Sequence, residues 1–289
     1  MGRRNRVGLA LGGGGVRGGA HIGLLKVLDR EGLQVGPIAG TSAGGVVGGL
    51  YAAGLSGLEI EEFLKGFSAA AILEPEPSGW SILSTERFIE RIRERIGDLQ
   101  IEDLPHPFAA VAVDLYRAQQ VILDRGPLAT AIQATIAVPG LLCPVQRDGC
   151  LLVDGGVLDN VPVDAARQLG AERVIAVDVS VPADFPLEIP SFGGLPGPVP
   201  RLLDRFLFLT GRQRAALAFH KFLSIQAAEL TARRLKECPP DLLLRPDLGA
   251  IPVMDMDRLA ETIPIGERLA EEHLSEIRRL FAPSEGEAG

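Results

Sequence analysis

Short apolar runs alternate with longer amphipathic stretches along this chain, and glycine or proline stands at most of the boundaries. Runs of this kind are typical of buried strands, which we predict at residues 7–11, 35–39, 108–113, 120–123, 143–146, 150–153, 173–179 and 241–245. Apolar residues at helical spacing predict helices at about 20–30, 45–53, 56–65, 85–96, 128–137, 160–169, 201–236 and 257–281. This alternation indicates an α/β fold whose sheet is mostly parallel.

Local signals mark several boundaries between these elements. Ser56 and Glu59 have the spacing of a capping box, and the turn at 147–149 has the composition of a hairpin connection. Pro264 is expected to interrupt the last helix. Residues 183–200 are rich in proline and glycine and are expected to be irregular.

The segment G-T-S-A-G at 40–44 lies between a predicted strand and a predicted helix, which is the context of a nucleophile elbow. In such a turn the serine backbone is strained and the residues two positions away have no room for side chains, which Gly40 and Gly44 satisfy. We therefore predict Ser42 as a nucleophile at the carboxyl edge of the sheet. The alternative is a glycine-rich turn with a capping serine.

A glycine-rich loop at 12–19 follows the first strand and has two interpretations. The spacing of Gly13, Gly15 and Gly18 matches the dinucleotide fingerprint, which also needs an acidic residue about twenty positions later. Residues 32–58 contain no Asp or Glu, which weighs against a dinucleotide. The second interpretation is an oxyanion hole, because consecutive glycines let backbone N–H groups converge on one point.

Two polar residues accompany this loop. We predict that Arg17 fastens the loop by binding carbonyl oxygens or an acid; contact with a lipid phosphate is the alternative. His21 shares a helix face with Leu25 and Leu28, which predicts a packed core histidine and not a base.

An acidic candidate, Asp154, follows the predicted hairpin whose turn is at 147–149. Asp154 follows an apolar strand and precedes Gly155 and Gly156, which allow another backbone to come close. If that strand lies in the same sheet and direction as the strand before Ser42, both side chains reach one edge. The alternative is an Asp-Gly-Gly turn without chemistry.

A serine nucleophile needs a base, and the chain has only 4 His. In an enzyme with this elbow the acid and then the histidine follow the serine, which leaves His220 and His273 after Asp154. Both stand in predicted helices, whereas a catalytic histidine is better placed on a loop. We therefore predict that Asp154 is itself the base, with the glycine loop stabilising the oxyanion.

These motifs together resemble those of patatin-like phospholipases. The likeness rests on G-G-G-V-R-G at 13–18, G-T-S-A-G at 40–44 and D-G-G at 154–156, in that order. It is closest to the short bacterial members and to the catalytic domain of neuropathy target esterase. It covers roughly residues 7–178 and includes Thr135, where the family usually has serine, and the segment D-N-V-P at 159–162.

The resemblance implies a Ser–Asp dyad of Ser42 and Asp154 and an oxyanion hole of the amides of Gly13, Gly14 and Gly15. The implied fold is a three-layer α/β/α sandwich around a central sheet, a modification of the α/β-hydrolase fold. Because no linker divides the chain, we expect a single domain whose motif-bearing core at about 7–178 is followed by a helical extension at about 183–289. The implied activity is hydrolysis of acyl esters in phospholipids, lysophospholipids or neutral lipids, without a metal or other cofactor.

Composition restricts the remaining classes. A net charge of −8 argues against nucleic acid as a partner, and the three cysteines have no metal-ligand spacing. No stretch is apolar enough for a membrane span or shaped like a signal peptide, so we expect a cytoplasmic protein with at most peripheral membrane contact. The segment 183–209 is the candidate for that contact and for a lid; burial of its bulky residues in the core or a dimer interface is the alternative.

Two other functional classes stay open. One is a Ser-His-Asp esterase or acyltransferase that uses His220 or His273. The other is a lipid-binding protein that keeps the fold and has no catalytic activity.

Overall fold

The computed structural model describes residues 7–67, 74–75, 81, 83–182 and 212–282, with side chains for all of these except 75 and 212–220. The predicted irregular segment, and with it the candidate membrane contact at 183–209, lies outside the described residues.

One mixed sheet forms the centre of the molecule. Its strands are Val7–Leu11 (β1), Ile38–Thr41 (β2), Phe108–Asp114 (β5), Gln119–Leu123 (β6), Val145–Arg147 (β7), Cys150–Asp154 (β8), Arg173–Val177 (β9) and Leu242–Leu244 (β10). A separate small sheet pairs Glu74–Pro75 (β3) with Leu83–Ser84 (β4). The order in the large sheet is β10-β9-β1-β2-β5-β8-β7, with β6 also paired to β5. The run from β10 to β5 is parallel, and β6, β7 and β8 pair antiparallel.

Nine helices lie in the described part of the chain. They are Gly19–Arg30 (α1), Ala43–Ala52 (α2), Gly57–Lys65 (α3), Glu86–Ile96 (α4), Leu128–Thr135 (α5), Val163–Gln168 (α6), Arg212–Glu237 (α7), Leu259–Glu272 (α8) and Leu274–Phe281 (α9). The capping box of Ser56 and Glu59 is confirmed at the start of α3. The hairpin turn is confirmed as well, with positive φ at both Asp148 and Gly149.

The two faces of the sheet carry different side chains and different helices. Leu9 and Leu11 of β1 point into a large apolar cluster with α1 to α5, α8 and α9. Ala10, between them in sequence, points to the opposite face, where α6 and Leu235 of α7 pack on mostly small residues. Helices on both faces of the sheet give the three-layer α/β/α arrangement, which confirms the predicted fold class.

Helix α8 packs closely against α1, although more than 200 residues separate them in sequence. A Cβ atom on Gly23 would lie 2.2 Å from the Ile263 carbonyl oxygen, and one on Gly266 would lie 2.0 Å from the Ala20 carbonyl oxygen. These glycines therefore let the two backbones touch. The predicted interruption at Pro264 is wrong, because α8 continues through it while packed on α1 and ends only before His273.

Strand β8, which leads to Asp154, runs antiparallel to β2, which leads to Ser42. The prediction for Asp154 required the two strands to run in the same direction. Strand β8 pairs antiparallel with β5, which is itself parallel to β2. The register compensates, because Thr41 pairs with Val111 and the next residue of β5, Ala112, pairs with Asp154. Ser42 and Asp154 thus reach the same level of the sheet from opposite directions.

Candidate active site

The backbone at Ser42 has the strained conformation expected of a nucleophile elbow. Ser42 has φ 53° and ψ −123° and stands between β2 and the first residue of α2. A Cβ atom on Gly40 would lie 2.4 Å from the Gly44 carbonyl oxygen, and one on Gly44 would lie 2.0 Å from the Leu11 carbonyl oxygen. Only glycine fits at these two positions, so the tight turn between β2 and α2 depends on both.

Thr135 binds the backbone of the elbow through its side-chain hydroxyl. The Ser42 amide donates a hydrogen bond to Thr135 Oγ1 at 2.9 Å, and the Thr135 hydroxyl donates to the Val111 carbonyl at 2.5 Å. Thr135 is fully buried at the end of α5. Its hydroxyl therefore connects the nucleophile turn to the central strand β5.

Asp154 faces the Ser42 side chain. The Ser42 hydroxyl lies near enough to the Asp154 carboxyl to lower its pKa, and Asp154 Oδ1 accepts the Gly156 amide at 2.7 Å. Burial outweighs both contacts and raises the pKa of the carboxyl to about 6. A Cβ atom on Gly155 would lie 2.4 Å from the Val111 carbonyl oxygen, so glycine there lets the turn after β8 lie against β5.

The glycine loop lies beside Ser42. A Cβ atom on Gly13 would lie 2.9 Å from Ser42 Cβ, and one on Gly18 would lie 2.7 Å from Ala43 Cβ. The loop and α2 therefore approach each other more closely than side chains would permit, and β1 places the loop between the ends of β2 and β9.

The three amides assigned to the oxyanion hole differ in their partners. The Gly13 amide donates to the Asn160 carbonyl at 3.1 Å and is buried. Gly14 and Gly15 are partly exposed, and their amides have no acceptor within the part of the chain that the structure describes. The N–H of Gly13 is thus engaged by Asn160, whereas those of Gly14 and Gly15 have no acceptor among the described residues.

The far side of the loop is covered by two segments from late in the chain. A Cβ atom on Gly14 would lie 2.6 Å from the Val179 carbonyl oxygen, and one on Gly15 would lie 2.1 Å from the Val253 carbonyl oxygen. Gly15 also has φ 57°, a conformation that favours glycine. Side chains at either position would push the loop away from this wall and toward Ser42.

Arg17 fastens these segments to the loop. Its guanidinium donates to the carbonyls of Val179, Ser180 and Ile251 at 3.0, 3.3 and 3.2 Å, and to that of Gly249 at 3.4 Å. The side chain is almost fully buried, and burial lowers its pKa against the charges of nearby aspartates. These bonds to carbonyl oxygens are the kind of contact that the structural role predicted for Arg17 requires.

The histidines with described side chains each bind a backbone carbonyl. His21 Nε2 lies 2.7 Å from the Gly12 carbonyl oxygen, and burial lowers the pKa of His21 to about 4. His106 Nδ1 binds Val35 and His273 Nδ1 binds Leu269, both at 3.0 Å. The prediction that His21 is a core histidine is confirmed; the side chain of His220 lies outside the described residues.

Three contributors to the site had little or no signal in the sequence. Thr135 stood out only as a hydroxyl residue, and Asn160 only as part of the segment that follows the Asp-Gly-Gly turn. Val253 had no signal at all, because nothing local links it to a loop more than 200 residues earlier.

Two kinds of feature are absent from the described residues. They contain no group of three or more His, Cys, Asp or Glu side chains that could hold a metal ion. They also contain no helix with the length and apolar character needed to cross a membrane.

Comparison with known proteins supports the motif assignment over more than half of the chain. The family model for patatin-like phospholipase matches residues 9–167. An uncharacterized NTE family protein of Mycobacterium tuberculosis is 43% identical over 181 residues, which cover 61% of this chain and 49% of that protein. Patatin-like phospholipase domain-containing protein 6 of Homo sapiens is 37% identical over 183 residues, which cover 61% of this chain and 13% of that protein. The match thus spans about half the length of the mycobacterial relative and a small part of the human one.

A solved structure extends the likeness of the fold beyond the region of sequence similarity. The crystal structure of VipD from Legionella pneumophila superposes with a TM-score of 0.59 at 13% identity, covering 94% of this chain and 67% of that chain. At that identity the comparison supports the fold alone. The family model, which matches more than half of the chain, shows that this chain belongs to the patatin-like phospholipase family.

Proposed function

We propose that this protein is a serine hydrolase that cleaves the carboxylic esters of phospholipids, lysophospholipids or neutral lipids through a dyad of Ser42 and Asp154. The placement of the Ser42 hydroxyl, at a strained elbow, beside the buried Asp154 carboxyl carries the proposal. The names of the relatives, which include phospholipases and an esterase, agree with this reaction class.

In the first half of the reaction, Ser42 Oγ attacks the ester carbonyl carbon while its proton passes to the Asp154 carboxylate. The carbonyl π electrons move onto oxygen, and the resulting oxyanion accepts hydrogen bonds from the Gly14 and Gly15 amides. When the tetrahedral intermediate collapses, the C–O bond to the alcohol breaks. The departing alkoxide takes the proton from Asp154, which leaves an acyl ester on Ser42.

In the second half, water attacks the acyl carbon and transfers a proton to Asp154. The second tetrahedral intermediate is held by the same two amides and releases the fatty acid. Ser42 Oγ recovers the proton from Asp154, so the enzyme ends as it began. No step requires a metal or an organic cofactor.

The burial of Asp154 explains how a carboxylate can act as a base here. A solvated carboxylate is a weak base for a hydroxyl, but burial raises the pKa of Asp154 to about 6 and so strengthens it. The group is still mostly ionised at neutral pH. The Gly14 and Gly15 amides, which have no acceptor among the residues that the structure describes, supply the stabilisation of the oxyanion that such a base requires.

The proposal is tested by a panel of substrates and a covalent probe. We expect purified protein to release fatty acid from at least one class among phospholipids, lysophospholipids and acylglycerols, measured by product mass analysis. A fluorophosphonate probe should label Ser42 and no other serine, measured by peptide mapping. Binding of lipid vesicles without turnover of any ester, and without labelling, would instead indicate a lipid-binding protein without catalytic activity.

The rate should depend on pH through Asp154. Because the base must be unprotonated and burial places its pKa at about 6, kcat/KM should rise about tenfold per pH unit below that value and be level above it. The measurement uses a soluble short-chain ester from about pH 4.5 to pH 8. A profile that is flat down to the lower limit, or one whose midpoint moves when His273 is replaced by alanine, would contradict the assignment.

A further inference from the structure

Asn160 grips Gly13 of the glycine loop at two points. Its main-chain carbonyl accepts the Gly13 amide at 3.1 Å, and its side-chain Nδ2 donates to the Gly13 carbonyl at 3.0 Å. The contact is tight, since a Cβ atom on Gly13 would lie 2.5 Å from Asn160 Oδ1. One residue therefore controls both peptide groups that flank Gly13.

The hydrogen bond to the Gly13 carbonyl also fixes the direction of the Gly14 N–H. The C=O and N–H of one peptide unit point in opposite directions because the unit is planar. When Asn160 Nδ2 holds the carbonyl of Gly13, the amide of Gly14 in the same unit must point away from Asn160. That amide is one of the two that have no partner among the described residues.

The neighbouring peptide units are fixed in the same manner. The Gly12 carbonyl lies 2.7 Å from His21 Nε2, opposite the Gly13 amide that binds Asn160. The Gly14 carbonyl accepts the Arg17 amide at 3.2 Å, opposite the amide of Gly15. The peptide unit between Gly13 and Gly14 is held by the side chain of Asn160, which lies six residues after Asp154.

Asn160 is itself anchored to the nucleophile strand. The Thr41 hydroxyl donates to the carbonyl of the preceding residue, Asp159, at 2.9 Å. Asn160 Nδ2 also donates to Ser180 Oγ at 2.8 Å, and the Ser180 hydroxyl donates in turn to Asp178. The side chain that orients Gly14 is thus held in register with Ser42.

We propose that Asn160 is a positioning residue of the oxyanion hole, whose side-chain amide holds the Gly13 carbonyl so that the Gly14 N–H faces the reacting ester carbonyl. This inference rests on the proposed hydrolase function. Asn160 touches neither substrate nor the reacting atoms; it acts through Gly14.

The first test replaces Asn160 with alanine, which removes the side-chain amide and keeps the main-chain bond to Gly13. We expect kcat on a soluble ester to fall about 100-fold, the size of a lost oxyanion donor, with KM within about threefold of wild type. Inhibition by an alkyl trifluoromethyl ketone, which forms a tetrahedral adduct on serine, should weaken in parallel with kcat. The pH midpoint near 6 should not move, because the pKa of Asp154 is set by burial, Ser42 and Gly156 and not by Asn160.

The matched control is Gln133→Ala, which removes a side-chain amide that is hydrogen-bonded to Glu86 and leaves the bond from Asn160 to Gly13 in place. It should keep kcat within about threefold of wild type. A kcat for Asn160→Ala within that same range would overturn the proposal. So would a loss accompanied by a lower pH midpoint, because that result indicates general loosening around Asp154.

A measurement on the wild-type protein covers the case in which Asn160→Ala does not fold. When the trifluoromethyl ketone forms its adduct on Ser42, the amide proton resonances of Gly14 and Gly15 should move downfield by NMR. The resonance of Gly13 should stay, since its N–H already binds Asn160. A shift at Gly13 in place of Gly14 would overturn the inference, whereas absence of any adduct or ester turnover would overturn the proposed hydrolase function itself.

Discussion

Asp154→Asn should lower the turnover of a soluble ester by about three to four orders of magnitude, a loss comparable to that of a triad member. Asparagine keeps the shape of the side chain and can still accept the Gly156 amide, but it cannot take the proton of Ser42. The measurement is kcat/KM at about pH 8, where the wild-type carboxylate is ionised.

The controls for this variant are its own melting temperature and the activity of two histidine variants. Because burial raises the pKa of Asp154, the folded protein favours the neutral form, and a neutral asparagine should not lower the melting temperature at about pH 8. The variants His220→Ala and His273→Ala should each keep activity within about tenfold of wild type. A histidine variant that folds and is as inactive as Asp154→Asn would replace the dyad with a Ser-His-Asp arrangement.

Ser42→Gly should abolish ester hydrolysis and at the same time stabilise the elbow. Ser42 has φ 53° and ψ −123°, a region that costs a residue with a side chain about 1–3 kcal/mol and costs glycine little. The flexibility of glycine in the unfolded chain offsets about 0.5–1 kcal/mol of that gain. Activity should fall by about 10⁴-fold or more, as measured with the same soluble ester.

The matched control for stability is Ser42→Ala. Both variants lack the hydroxyl that contacts Asp154, so the difference between them isolates the backbone strain. We expect Ser42→Gly to be more stable than Ser42→Ala by about 1 kcal/mol, measured by chemical denaturation. Equal stability of the two variants would mean that the elbow stores no strain at Ser42, and residual activity in either would assign the nucleophile elsewhere.

The sequence predicted those parts of the site whose physical cause is local. The elbow at Ser42 needs glycine two residues to either side, and that requirement is written within five positions. The capping box at Ser56 and the turn at Asp148 likewise follow from a few neighbouring residues. Local requirements of this kind can be inferred from one chain without knowledge of its partners.

The features that escaped prediction depend on pairing between distant segments. The direction of β8 is set by its antiparallel pairing with β5, and hydrophobic periodicity does not encode that pairing. The condition that β8 runs in the same direction as β2 is therefore not met. The engagement of the Gly13 amide depends on Asn160, and the helix through Pro264 depends on close packing against α1. In each case a tertiary contact outweighs the local preference.

The wall behind the glycine loop has a consequence for the boundaries of any fragment that is to retain activity. The region shared with the family ends at residue 167, yet Val179 and Val253 press on Gly14 and Gly15, and Arg17 ties down the carbonyls of Gly249 and Ile251. A fragment cut at the end of the shared region would keep Ser42, Asp154 and the bonds from Asn160 to Gly13, but it would lose the segments that cover Gly14 and Gly15 and that bind Arg17. We therefore expect a fragment that retains the proposed activity to extend at least through residue 253, well past the stretch that matches the family.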